Sequence, residues 1–340
     1  MSVEPPGSIL VINVSRIGDT LLATPAIRAL ARAWPQGRIT FLGHPKRAEI
    51  IEHLPFVAEV GTITPRRAHW RGWLPGRRWD LALVLGFDKP LVAYALRVAQ
   101  RVIAFRQDDA GLDARLFRCV ERPGFQSLHS ALLPLLLTRA IGVPDAGGRL
   151  AYAVTPGEDA WAGATLAAAL PRSRHTGPLI GLQVASFPTK AYRDWPIERF
   201  EALCKRILGR WPAAHFLIFG SDLEKSRTEA LARRLGDHAT LLAGKLTLRQ
   251  SAAMMNRVDL YIGVDTGPTH IMGALERPMI VLYHCYSPSR LLAPLERSGL
   301  FAIDHPRTAE EGCGPETPMA EIAVEPVWAR VVEALAKHSP

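Results

Sequence analysis

The chain reads as an α/β protein built from two doubly wound, mainly parallel-sheet halves, and three observations predict this. Short apolar runs alternate with helical patterns, the alternation stops at a Gly/Pro-rich region and then restarts, and 340 residues suffice for two domains that each bury a core. Hydrophobic residues at 48% and charged residues at 21% are ordinary for a globular chain, which excludes a disordered or fibrous protein.

The elements follow in order. Residues 9–14 form a continuous apolar run of the kind buried on both faces of a parallel sheet. Gly18-Asp19-Thr20 then opens a helical pattern over 21–34, with Asp19 or Thr20 suited to be its N-cap. Further strands are predicted at 38–43, 57–60, 81–85 and 102–105. Turn signals at Gly142-Val143-Pro144, Thr155-Pro156-Gly157 and His175-Thr176-Gly177-Pro178 surround an Ala-rich helical stretch. The junction belongs there, giving domains at 1–160 and 175–325 and a C-terminal helix at 326–340 that can pack back on the first domain. The second half repeats the rhythm with strands at 179–183, 215–219, 260–264 and 279–283 and a helix over 197–208. Ligands of such sheets bind outside the carboxyl ends of the strands.

Several classes are excluded early. The most apolar stretch, 131–137, is short, contains Pro134 and is closed by Arg139, so nothing spans a bilayer. Residues 1–8 carry Glu4 and no basic cluster, so the run that follows is a buried strand and not a secretion signal. Cys119, Cys204, Cys285 and Cys313 lie far apart with no C-x-x-C pair, which argues against a zinc site and a disulfide framework and fits a reducing cytoplasm. The net charge of +9 calls for an anionic partner: nucleic acid, anionic lipid or phosphorylated sugar. Within 61–140 thirteen Lys and Arg face six Asp and Glu, so the excess is concentrated in the first half.

Four segments, and Glu224 by itself, carry candidate chemistry. Gly263-Val264-Asp265-Thr266-Gly267-Pro268-Thr269-His270 joins a predicted strand to a helix; Gly267 permits close backbone approach and the helix start favours a diphosphate. A plain capped turn is an equally good reading of the same residues. Asp19, with Arg16 just before it, stands at a strand end where its carboxylate can take a proton from a hydroxyl, although position alone favours an N-cap. Lys190 and Arg193 lie on the loop before Trp195-Pro196 and can neutralise a leaving diphosphate, or be solvated surface charge. Glu224 follows a strand end, where it can bind a ribose or simply begin a helix. The fourth segment interleaves Arg66, Arg67, His69, Trp70, Arg71, Trp73, Arg77, Arg78 and Trp79, a pattern that suits acidic sugars or single-stranded nucleic acid, or a basic loop packed by its tryptophans. No P-loop, Ser-His-Asp or G-x-G-x-x-G pattern occurs.

Taken together, Ser15-Arg16-Ile17-Gly18-Asp19-Thr20-Leu21, Arg193-Asp194-Trp195-Pro196 and Asp265-Thr266-Gly267-Pro268-Thr269-His270 resemble glycosyltransferase family 9, the ADP-heptose:lipopolysaccharide heptosyltransferases. The resemblance implies a GT-B fold, two Rossmann-like domains facing across a cleft, with acceptor bound by the first and nucleotide sugar by the second. It implies an inverting transfer of a heptose or related sugar from an ADP-sugar to a lipopolysaccharide core acceptor, with no metal ion or other cofactor. Asp19 is then the base, and Lys190, Arg193, Glu224, Asp265, Thr266, Gly267 and His270 bind the donor. Arg16, Arg66, Arg67, Trp70 and Arg71 become acceptor candidates. The chain departs from the pattern at Arg193, usually a lysine, and at Tyr283-His284-Cys285-Tyr286-Ser287-Pro288, where the family commonly has a Gly-Pro-Thr loop. The basic first half fits a cytoplasmic enzyme held at the inner membrane surface by charge. The rivals are a protein-glycosylating heptosyltransferase, a GT-B sugar-nucleotide epimerase and a basic nucleic-acid-binding protein; the last lacks any recognised motif, so no nucleic-acid partner is expected.

Overall fold

The computed structural model describes residues 4–73, 78–124, 126–169, 176–308, 310 and 312–336. It divides into two compact units, 1–153 with 294–296, and 154–293 with 297–340. Each carries a six-stranded parallel sheet.

In the first unit the strands are β1 (Ser8–Asn13), β2 (Arg38–Gly43), β3 (Glu59–Thr62), β4 (Trp79–Val84), β5 (Ala99–Phe105) and β6 (Arg118–Val120), in the order β3-β2-β1-β4-β5-β6. The second unit contains β7 (Leu179–Gln183), β8 (His215–Phe219), β9 (Ala239–Leu241), β10 (Leu260–Val264), β11 (Met279–Tyr283) and β12 (Leu300–Asp304), in the order β12-β11-β10-β7-β8-β9. Both are the doubly wound 3-2-1-4-5-6 arrangement, with the direction of winding reversing between β1 and β4 and between β7 and β10.

The apolar runs place the cores. Leu10, Ile12, Ala82, Val84, Val102 and Ala104 pack against Leu91, Val92 and Ala95 of the helix Lys89–Val98. In the second unit Phe200, Leu203, Cys204 and Ile207, at helical spacing on Ile197–Arg210, bury one stripe against Ile180, Leu182 and Ile218. Trp195, fully buried, fixes the start of that helix by donating its indole N–H to the Ile322 carbonyl at 2.9 Å.

Several expectations shift. The helical pattern over 21–34 is two helices, Ile17–Leu22 and Thr24–Ala33, broken where Pro25 lacks an amide hydrogen to continue the ladder. Arg16 is the N-cap of the first, so Asp19 lies in its first turn and does not cap it. The chain divides at 153–154, earlier than expected, because Glu158 and Asp159 on the Ala-rich helix Pro156–Ala169 pair with Arg249 and Arg257 of the second unit. The last helix, Val324–Ala334, packs on Ile197–Arg210 and the β11 side of the second unit's core; residues 337–340 lie outside those described. Cys285 and Cys313 form a disulfide, against the expectation from spacing, because the loops after β11 and before residue 317 bring their Cα atoms to 6.1 Å.

Candidate functional site

The second sheet's reversal point supplies a built site. The segments after β7, β10 and β11, three adjacent strands, all emerge at its carboxyl edge. The 184–196 segment is knitted by Asp194, whose Oδ1 accepts from the Ser186 amide and hydroxyl, both at 2.7 Å, while Arg227 pairs with Oδ2 at 3.5 Å and donates to the Trp195 carbonyl at 2.7 Å. Burial raises the Asp194 carboxyl above its usual range despite these partners.

Arg193 reaches from this segment across the reversal point. Its Nη1 meets Asp265 Oδ2 at 2.6 Å and the Asp265 carbonyl at 3.3 Å, Nη2 donates to Ser287 Oγ at 3.1 Å, and Nε to the Tyr192 hydroxyl at 3.3 Å. Asp265 is 2% exposed and Arg193 18%, so this is an almost buried ion pair. His270 Nε2 stands 3.7 Å from the other Asp265 oxygen. Thr266 is the N-cap of Gly267–Leu275 but makes no side-chain cap hydrogen bond, so the helix start is not closed off by its own cap. Gly263 is required one strand-step earlier: a Cβ there would lie 2.9 Å from both Gln183 Cβ and the Tyr261 hydroxyl.

Lys190 differs from Arg193. It is half-buried, its ammonium lies 5.5 Å from the Tyr192 ring centre, and it has no ion pair among the described residues. Burial alone would raise the Tyr192 phenol, yet the bond with Ser287 and the charges of Arg193 and Lys190 outweigh it and bring the pKa below its usual value. Glu224, expected as a ribose ligand, spends one oxygen in a capping box, accepting from Ser221 Oγ at 2.6 Å. No described hydrogen bond takes its other oxygen.

The loop after β11, which departs from the family pattern, takes part in the site. Its Ser287, 7% exposed, holds Arg193, and its His284 is fully buried with Nε2 on the Thr317 carbonyl at 2.7 Å and Nδ1 accepting the Tyr286 amide at 3.0 Å. Burial lowers the His284 pKa. His284, Cys285 and Cys313 lie close enough to share a metal ion, but the sulfurs are joined and both ring nitrogens are engaged, so the trio reads as a crosslink that fixes the loop.

In the first unit Asp19 is exposed at the carboxyl edge of β1, and its carboxylate has no partner among the described residues; its carbonyl accepts from Asn13 Nδ2 at 3.1 Å. Arg16 is exposed beside it. Sequence reading missed Arg47, whose Nη1 donates to the Ser15 carbonyl at 2.9 Å, and its neighbours His44 and Lys46 just past β2. Their signal was a basic cluster following a strand end. Burial and these two cations hold the His44 pKa down. Arg66, Arg67, Trp70 and Arg71 are exposed on and after the short helix Pro65–Ala68, and no described hydrogen bond or ion pair joins them to Arg16 or Asp19. Arg77 lies outside the described residues.

Two Rossmann-like units, each with a six-stranded doubly wound parallel sheet, make up the GT-B fold. The model of glycosyltransferase family 9 (heptosyltransferase) matches residues 135–310, and the chain belongs to this family. It is 22% identical over 348 residues to the lipopolysaccharide core heptosyltransferase OpsX of Haemophilus influenzae, covering 95% of this chain and 96% of that one. Among solved structures it resembles a family 9 glycosyltransferase of Veillonella parvula (TM-score 0.82, 19% identity, 99% of each chain). The Escherichia coli ADP-heptose LPS heptosyltransferase II is also similar (TM-score 0.77, 19% identity, 97% of this chain and 99% of that one).

Proposed function

We propose that the protein transfers a heptose from ADP-heptose to an anionic, lipid-borne lipopolysaccharide core acceptor at the cytoplasmic membrane surface, with inversion and without a metal ion. The observation that carries this is the cationic edge at the second sheet's reversal point, where Lys190 and the uncapped start of Gly267–Leu275 offer positive charge to a diphosphate. Arg193 shapes that edge by fixing Asp265, while Thr266, Gly267 and His270 line it and the open oxygen of Glu224 faces the nucleotide's sugar. In the first unit Asp19 takes the proton from the acceptor hydroxyl, which attacks the anomeric carbon opposite the departing ADP. Arg16, with Arg47 and Lys46 close by, meets the acceptor's negative charge, and the basic face at Arg66, Arg67, Trp70 and Arg71 meets the anionic surroundings of that acceptor. Support for the donor and acceptor comes from the names of the similar heptosyltransferases.

The test supplies ADP-heptose with and without a lipopolysaccharide core acceptor and follows ADP release and product anomer. Release that needs the acceptor, persists in EDTA and gives the opposite anomer is expected. Consumption of the nucleotide sugar without acceptor would mean an epimerase, and loss of turnover on chelation would remove the metal-free mechanism.

A further inference from the structure

Trp70 and Trp73 are the most solvent-exposed large hydrophobic residues among those described, at 86% and 70%. Neighbouring exposed apolar side chains rimmed by polar residues mark an interaction site. Their segment is held rigidly. The Trp73 indole N–H donates to the His69 carbonyl at 2.8 Å, and Arg97 from the neighbouring helix lies 4.5 Å from the Trp73 ring centre. The same guanidinium donates to the Arg71 carbonyl at 3.1 Å and to the Ala68 carbonyl, and Arg71 reaches the Thr62 carbonyl at 3.3 Å. Gly72, at φ +78°, allows the turn to close, since a Cβ there would stand 2.7 Å from Val98.

Around the indoles, Arg66, Arg67, Arg71 and Arg78 are exposed, and no carboxylate pairs with them or with Arg97 among the described residues. Two outward indoles ringed by guanidiniums that no described carboxylate neutralises match the boundary of an anionic bilayer: the ring rests at headgroup level and the exposed guanidiniums of Arg66 and Arg67 bind lipid phosphate. A base-stacking site fits less well, because Arg97 already covers one face of Trp73. Arg66, Arg67 and Arg71 follow the finishing end of β3, but direct acceptor contact beside Asp19 fits the indole end of the face less well too. Gly72 abuts Tyr94 and Val98 in the half of Lys89–Val98 that leads to the start of β5, whereas Asp19 follows the finishing end of β1.

We infer that the Arg66-Arg67-Trp70-Arg71-Trp73 face is a membrane-docking element that seats on anionic phospholipid, with the indoles inserted at the headgroup boundary. It extends the reading of a lipid-borne acceptor, but its test needs no turnover. Binding is measured by cosedimentation with vesicles of phosphatidylglycerol and phosphatidylcholine and with phosphatidylcholine alone, and insertion by tryptophan quenching from brominated lipid. The expected result is salt-sensitive binding to the anionic vesicles only. Arg66→Gln/Arg67→Gln/Arg71→Gln should weaken it about 100-fold, at about fivefold per cation. Trp70→Ala/Trp73→Ala should keep the salt dependence but lose most of the quenching. Unchanged melting and ADP affinity certify that both variants are folded. Equal binding to neutral vesicles, variants that bind and quench as the parent does, or tighter binding to single-stranded oligonucleotide would overturn the inference. So would loss of turnover on a lipid-free acceptor with vesicle binding intact, which would make the face an acceptor subsite.

Discussion

Arg193→Ala removes the cation facing a carboxylate that is only 2% exposed, so its cost is that of leaving Asp265 buried and unpaired. Removing one partner of a buried pair costs about 3–5 kcal/mol; with Arg193 itself 18% exposed, water can enter the gap and the lower end, about 3 kcal/mol, applies. At about 2–4 °C per kcal/mol for a unit of this size, Tm should fall by roughly 6–12 °C. Lys190→Ala breaks no described ion pair and should leave Tm within about 2 °C. Its effect falls on the ligand: a charged hydrogen bond worth about 1.5–3 kcal/mol means roughly a tenfold to hundredfold loss of ADP affinity. Adding Asp265→Asn to Arg193→Ala should recover part of the lost stability, since the stranded charge is gone. Thermal melting with and without ADP, together with isothermal titration, reads all three variants. If Arg193→Ala melts like the parent, or if the two single variants lose stability equally, Arg193 is not the structural partner of Asp265 and the reasoning fails.

Three further outcomes are expected. Asp19→Ala should cut turnover by about 10²–10⁴ while ADP affinity stays within twofold, and near-parental turnover would remove Asp19 as the base. Reducing Cys285–Cys313, or replacing both with Ser, opens a closure of 28 residues whose chain entropy is worth about 3–4 kcal/mol, so Tm should drop in dithiothreitol for the parent but not for the double variant. The Glu158 carboxyl is lowered to about 2 by its bond with Arg249, so its contribution is complete above its ordinary value near 4.5 and is lost as pH falls from there toward 2. The ceiling is about 3 kcal/mol, and Glu158→Gln should melt less steeply with falling pH; an identical pH profile for both proteins would contradict the assignment.

What was legible in the sequence is what periodicity and burial dictate. Strands β7, β8, β10 and β11 are mostly apolar, almost wholly buried and lie in the sheet interior, and their predicted bounds hold to the residue. The strands that were missed, β6, β9 and β12, are half-buried, and β6 and β9 have only three residues; with one neighbour each, or a solvent-facing side, they need no apolar run. The third strand begins two residues later than expected because residues 57–58 still belong to the turn that brings Glu59 opposite Thr40. The placement of Asp19, Arg193 and Asp265 at strand ends was readable, since a strand followed by a turn fixes the edge. Their partners were not: Ser287 meets Arg193 from 94 residues away, and only the order of the strands brings those loops together.

That long-range contact connects two features that seem unrelated along the chain. The resemblance to the family implies a lysine where Arg193 stands and a Gly-Pro-Thr loop where residues 283–288 stand. A lysine ammonium at this position could not reach Asp265, Ser287 and Tyr192 in one plane, whereas the guanidinium fork does so with all three of its nitrogens. The altered loop in turn supplies the Ser287 hydroxyl, and the Cys285–Cys313 bond and the buried His284 hold that loop in place. The two departures are therefore one structural exchange: the cation at 193 is committed to Asp265 and Ser287, and Lys190, three residues earlier and without a carboxylate of its own, is the charge we propose for a diphosphate. Arg193→Lys separates this from simple charge conservation. It keeps the charge but loses Ser287 and Tyr192, so it should melt between Arg193→Ala and the parent and gain nothing in ADP affinity; parental stability in that variant would show that the fork is dispensable.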